Sequence, residues 1–175
     1  MINELLSDVC AKLEKAQINY MLSGSIAMGV YTVGRNSLDI DIVVNLKEED
    51  VPGFIKLFSK RYFIQPQTVA EEVKREGMFN MIDEKTGFKV DFIIKKSSAF
   101  RDEEFSRRKK VKLFEKEIFI VAVEDLILSK LIWIQVLQSE MQMRDISMLL
   151  RNKNIDKNYL TQWIKQLNLN TFGLL

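Results

Sequence analysis

Apolar residues recur at helical spacing from the start of the chain. Ile2, Leu5, Leu6, Val9 and Leu13 fall on one stripe, which predicts an amphipathic helix over residues 2–16. The run Tyr20-Met21-Leu22 predicts a short strand; it opens into Ser23-Gly24-Ser25, and Ile26 to Tyr31 read as a second helix. After a loop at Gly34-Arg35-Asn36-Ser37, residues 38–46 alternate with a period of two and carry β-branched side chains, which predicts a strand with Asp39 and Asp41 on one face. Glu48, Glu49, Asp50 and Pro52 suit the first turn of a helix running to about Arg61, and residues 62–74 show no clear period. Met78 to Ile82 and Phe88 to Ile94 read as strands joined by a hairpin loop at residues 83–87, with Asp91 in the second strand. A charged stretch from Arg101 to Lys112 precedes a strand at Ile118 to Val121. Val123-Glu124-Asp125 then opens an apolar helix to about Gln138, and helical patterns return around Arg144 to Leu150 and Asn158 to Leu167.

This order predicts an α+β fold: a mixed sheet flanked by helices over residues 1–121, followed by a helical extension over residues 122–175 packed beside it. The 175 residues suit about one domain, and 47% hydrophobic with 29% charged residues argue for a folded chain over a disordered one. There is no spanning apolar run and no export signal, so a cytoplasmic protein with no membrane partner is expected. The single cysteine, Cys10, excludes an intrachain disulfide and reads as a small core residue. The lack of histidine removes Ser-His-Asp, Cys-His and most zinc chemistry, leaving carboxylates, hydroxyls, lysines and hard metals.

The segment Leu38-Asp39-Ile40-Asp41-Ile42 carries two carboxylates at i and i+2 on an apolar strand, about 7 Å apart at their Cα atoms. Like charges so placed repel unless a cation neutralises them, and magnesium, which takes hard oxygen ligands, fits that role. The alternative is an exposed strand face that happens to carry aspartates. Ser23-Gly24-Ser25 is open to two readings as well: a plain helix cap, or a turn where the helix N-terminus meets a phosphate.

Gly24-Ser25-Ile26-Ala27-Met28-Gly29, Arg35, Asp39-Ile40-Asp41 and Lys89-Val90-Asp91-Phe92-Ile93, taken together, resemble the nucleotidyltransferase superfamily typified by DNA polymerase beta. In particular the chain is similar to small bacterial members of the antibiotic nucleotidyltransferase and abortive-infection toxin types. The matching motifs lie within residues 20–95. The resemblance implies a nucleotidyltransferase fold and transfer of a nucleoside monophosphate from a nucleoside triphosphate, ATP included, to a hydroxyl. Asp39 and Asp41 would hold two magnesium ions and Asp91 one of them, also accepting the hydroxyl's proton, while Gly24 and Ser25 would bind the β- and γ-phosphates. Asp91 also admits the plainer reading of a solvent-facing strand carboxylate.

Glu124 to Lys130 resembles the helix that follows the sheet in these enzymes. Lys130 either reaches the triphosphate or runs its stem along an apolar helix. Arg35 either touches phosphate or decorates a loop, and Arg144-Asp145-Ile146 is expected to be structural. Arg107 to Lys112 reads as a charged edge strand, with a polyanion-binding rim as the alternative. A haloacid-dehalogenase phosphatase is disfavoured by Arg35-Asn36-Ser37-Leu38 before Asp39, and a nuclease leaves the Gly-Ser turn unexplained. The rival of a different class is a catalytically silent relative that binds nucleotide or a protein, such as a toxin-antitoxin component. The acceptor (a small molecule, a tRNA end or a protein hydroxyl), the preferred triphosphate and the oligomeric state are left open.

Overall fold

In a computed structural model of the chain, residues 2–32 and 39–175 are described. Helix α1 (Ile2–Lys15) leads to β1 (Tyr20–Leu22), α2 (Gly24–Tyr31) and β2 (Ile40–Val44). A 3-10 turn at Glu48–Asp50 precedes α3 (Val51–Phe58), β3 (Tyr62–Phe63) and α4 (Pro66–Lys74). The hairpin β4 (Met78–Asp83) and β5 (Lys89–Ile94) is followed by α5 (Ala99–Ser106), β6 (Lys109–Leu113) and β7 (Lys116–Ile120). Helices α6 (Val123–Val136), α7 (Glu140–Leu149) and α8 (Lys157–Gln166) close the chain. The strands form one mixed sheet in the order β3-β4-β5-β2-β1-β7-β6, with β2–β5 and β1–β7 parallel and the other pairs antiparallel. The α+β expectation holds.

The two-residue period of the strands builds the layers. Tyr20, Leu22, Ile40, Ile42, Val44, Val90, Phe92 and Ile94 face one way, onto α1, α3 and α4. Four rings interlock there: Phe54 lies 4.9 Å from Phe58, 5.5 Å from Phe79 and 5.1 Å from Phe92, centroid to centroid. On the opposite face Met21 and Val43 pack against α2, α5 and the last three helices, whereas Met78 and Ile82 are exposed. That leaves a strip along β2 and β5 where polar side chains are tolerated. No helix among the described residues is long and apolar enough to cross a membrane.

Three stretches differ from expectation. Helix α3 stops at Phe58 rather than near Arg61, because the chain must turn for Tyr62 to pair with Asp83 and bury beside Phe58. Arg61 joins the turn through Asp83, its Nε and Nη2 donating at 3.0 and 3.1 Å. Residues 62–74, which showed no period, form the two-residue β3 and then α4, which begins at Pro66 and buries Val69, Glu72 and Val73. Half of the charged stretch is helix: Ser98 caps α5 by accepting from the Arg101 amide, and Phe100, Glu104 and Phe105 are buried. The expected charged edge strand is there as β6, the last strand of the sheet.

Candidate active site

Asp41 and Asp91 meet because β2 and β5 run parallel in a register that pairs them Cα to Cα. Adjacent strands lie about 4.8 Å apart, so the two carboxylates share one face of the sheet. Asp39 stands just before β2 and is exposed, whereas Asp91 is buried. Burial pushes the Asp41 carboxyl up from its ordinary value, and the charges of Asp91 and Asp39 push it further.

The other wall comes from α2. The Ser23 amide donates to the Asp41 carbonyl at 2.9 Å, which ties the start of the helix to β2. Gly24 follows with φ +62°, and a Cβ there would overlap the Asp41 carboxylate, reaching 2.6 Å from its Cγ and 2.9 Å from its Cβ. A side chain at position 24 is thus excluded by Asp41 itself. Ser25 is buried, and its Oγ has no hydrogen-bond partner among the described residues. A buried hydroxyl without a partner is costly, so it marks a place where a polar ligand would be welcome.

Gly24, Ser25, Asp39, Asp41, Asp91 and Lys130 line one cavity of about 400 Å³. Lys130 is buried on α6, its Nζ donating to Asp145 Oδ2 at 2.9 Å and Gln142 Oε1 at 2.7 Å. Asp145 therefore anchors a cavity lysine. A second cavity of about 320 Å³ adjoins the first, both touching Ser23, Met78, Ile93, Ser129 and Trp133. Trp133 is 60% exposed, an apolar surface at the shared wall. Deeper in, Glu104 accepts from Arg101 Nη1 at 2.8 and 2.9 Å and from Ser129 Oγ.

Lys89, beside Asp91, is one group that sequence reading passed over. Its Nζ lies 2.9 Å from Asp91 Oδ2. The signal was available, since Lys89 and Asp91 are two apart on one strand. Trp133, Ser129 and Gln142 carried no local signal, because an apolar helix does not announce which residues face a cavity. Arg35 lies outside the described residues. Of the basic stretch, Arg107 is held by Asp125 and Glu124 and stacks over Tyr159 at 3.9 Å. Arg108 lies over the Phe105 and Phe119 rings, and Lys110 and Lys112 pair with Glu117 and Glu115. Cys10 is a core residue whose thiol burial pushes up to about 12.

The mixed sheet with its helices has the fold of solved nucleotidyltransferases. No protein-family model matches the chain, and no curated protein matches it in sequence. Among solved structures, a Thermotoga maritima protein described as a nucleotidyltransferase superposes with a TM-score of 0.55 at 16% identity, covering 81% of this chain and 89% of that one. The lincosamide antibiotic adenylyltransferase LnuA with lincomycin bound gives 0.53 at 12%, covering 85% and 96%. The antibiotic-resistance factor ANT(2'')-Ia gives 0.64 at 10%, covering 95% and 92%, and has also been solved in complex with adenylyl-2''-tobramycin. At these identities the likeness is one of fold.

Proposed function

We propose that this protein is a metal-dependent nucleotidyltransferase that moves a nucleoside monophosphate from a nucleoside triphosphate to a hydroxyl acceptor and releases pyrophosphate. The observation that carries the reading is the single cavity lined at once by Gly24 and Ser25, by the three aspartates and by Lys130. The donor set fits magnesium: carboxylate oxygens only, in a chain without histidine, on a face whose Asp41 is already strained by like charge. Asp39 and Asp41 would hold two ions and Asp91 one of them. When bound, the ions would neutralise charge on the phosphates and acidify the acceptor hydroxyl.

The chain's own groups then divide the work. Gly24, Ser25 and the amides at the start of α2 take the β- and γ-phosphates, with the Ser25 hydroxyl, which has no partner among the described residues, donating. Lys130, steadied by Asp145 and Gln142, adds positive charge beside the triphosphate. The acceptor hydroxyl gives its proton to Asp91, and its oxygen forms a bond to the α-phosphorus as the bond to the bridging oxygen breaks and pyrophosphate leaves. The acceptor occupies the adjoining cavity, where α6 of the extension over residues 122–175 supplies one wall to the module of residues 1–121. Bound lincomycin and adenylyl-2''-tobramycin in the structural neighbours favour a small hydroxylated acceptor over a tRNA end or a protein hydroxyl.

The test supplies each of the four triphosphates, labelled at the α-phosphate, with magnesium and, in separate arms, hydroxylated antibiotics, tRNA and protein. Label transfer with pyrophosphate release is expected, falling by about 100-fold or more in Asp39→Asn and Asp41→Asn. Release unchanged by those substitutions overturns the assignment to these aspartates, and release absent with every triphosphate and acceptor points instead to a silent nucleotide- or protein-binding relative.

A further inference from the structure

Lys89 begins β5, and the strand's period of two puts it on the same face as Asp91. Its Nζ lies 2.9 Å from Oδ2 of the buried Asp91, and Asp91 is paired Cα to Cα with Asp41 on the neighbouring strand. Its side chain is 43% exposed, which leaves the long stem room to swing. Among the described residues, no three acidic, cysteine or histidine side chains are drawn together as a ready-made metal cage. The positive charge standing against Asp91 is the lysine.

We propose that Lys89 is a built-in counter-ion, which occupies the Asp91 carboxylate in the ion-free protein and must be displaced before a divalent cation can use it. The inference rests on reading Asp91 as a metal ligand. An exposed ion pair contributes little to stability by itself. This one differs in its setting: it sets a positive charge against a buried acid on a face where like charges gather. A magnesium ion and an ammonium drawn to the same carboxylate stand a few ångström apart and repel each other, so the lysine opposes the metal. Lys89 thereby lowers the metal affinity of Asp91 while keeping the carboxylate face folded when metal is scarce.

Calorimetric titration of the nucleotide-free chain with manganese as the probe tests this in wild type, Lys89→Gln, Lys89→Arg and Asp91→Asn, each checked for fold by circular dichroism. Lys89→Gln should bind manganese about tenfold more tightly, whereas Lys89→Arg, which keeps the charge, should stay near wild type. In chelator, Lys89→Gln should unfold at a lower temperature than wild type and gain more from added manganese. Unchanged or weaker binding in Lys89→Gln, or equal tightening in Lys89→Arg, overturns the proposal. If Asp91→Asn weakens binding while Lys89→Gln does nothing, the counter-ion role fails and the metal-ligand reading stands. If Asp91→Asn has no effect on affinity, both fall.

Discussion

Replacing Gly24 by alanine is expected to damage the site and the fold through one atom. The new Cβ would overlap the Asp41 carboxylate and come within 2.9 Å of the Asp41 Cβ, an approach that real side chains do not make. Asp41 cannot simply step aside: its Cα is registered against Asp91 and its carbonyl accepts the Ser23 amide. The φ of +62° adds a conformational penalty of about 1–2 kcal/mol for any residue with a Cβ. Moving a well-packed side chain adds about 1–3 kcal/mol. The combined loss is therefore about 2–5 kcal/mol, which in a chain of this size lowers the thermal midpoint by roughly 5–14 °C. Urea unfolding of wild type and Gly24→Ala gives the first quantity, and manganese titration shows whether the displaced carboxylate still binds. A Gly24→Ala protein within about 0.5 kcal/mol of wild type, with unaltered metal affinity, would refute the argument that Asp41 dictates the glycine.

Two further outcomes follow from ion pairs with buried acids. The Arg61 guanidinium holds the buried Asp83 carboxyl down to about 2, below its value in the unfolded chain, so its contribution is complete above about pH 4 and disappears as pH falls toward 2. With Arg61 one-third exposed, about 1–2 kcal/mol is expected over that window; urea midpoints between pH 5 and 2.5 should fall less in Asp83→Asn, and an identical slope would count against it. Asp145→Ala strands the buried Lys130 ammonium with Gln142 alone and should cost about 3 kcal/mol by denaturant unfolding, whereas Lys130→Met combined with Asp145→Leu should recover most of it; equal losses in both variants would show that the pair is not the cause.

Most strands and helices were legible because each buries one face, and the spacing of Leu5, Val9 and Leu13 in α1 or the alternation of Ile40, Ile42 and Val44 in β2 displays that directly. What stayed hidden depends on partners remote in the chain. Helix α5 was masked by its charges: Glu104 is buried through Arg101 and Ser129, and nothing near Glu104 in sequence announces Ser129. Arg107 read as edge decoration, yet its acids, Glu124 and Asp125, belong to α6. Strand β3 is two residues long, too short to show a period. At the site, Asp39 and Asp41 could be named from spacing, and Asp91 and the Gly-Ser turn from the family resemblance, but the reason for Gly24 could not, since that lies in a tertiary approach to Asp41.

The parallel pairing of β2 with β5 also bears on how the sheet assembles. Sliding β5 by one residue would turn Val90 and Phe92 outward and drive Asp91 into the cluster around Phe54 and Phe58, where a carboxylate has no counter-charge. The same acid proposed to serve catalysis is then a proofreader of strand alignment, rejecting the misthreaded sheet before any substrate is present. Under that logic, substitutions at Asp91 that keep its size but remove its charge would leave the native alignment intact and make the wrong one easier to populate, a selection on the folding route and not on the finished enzyme.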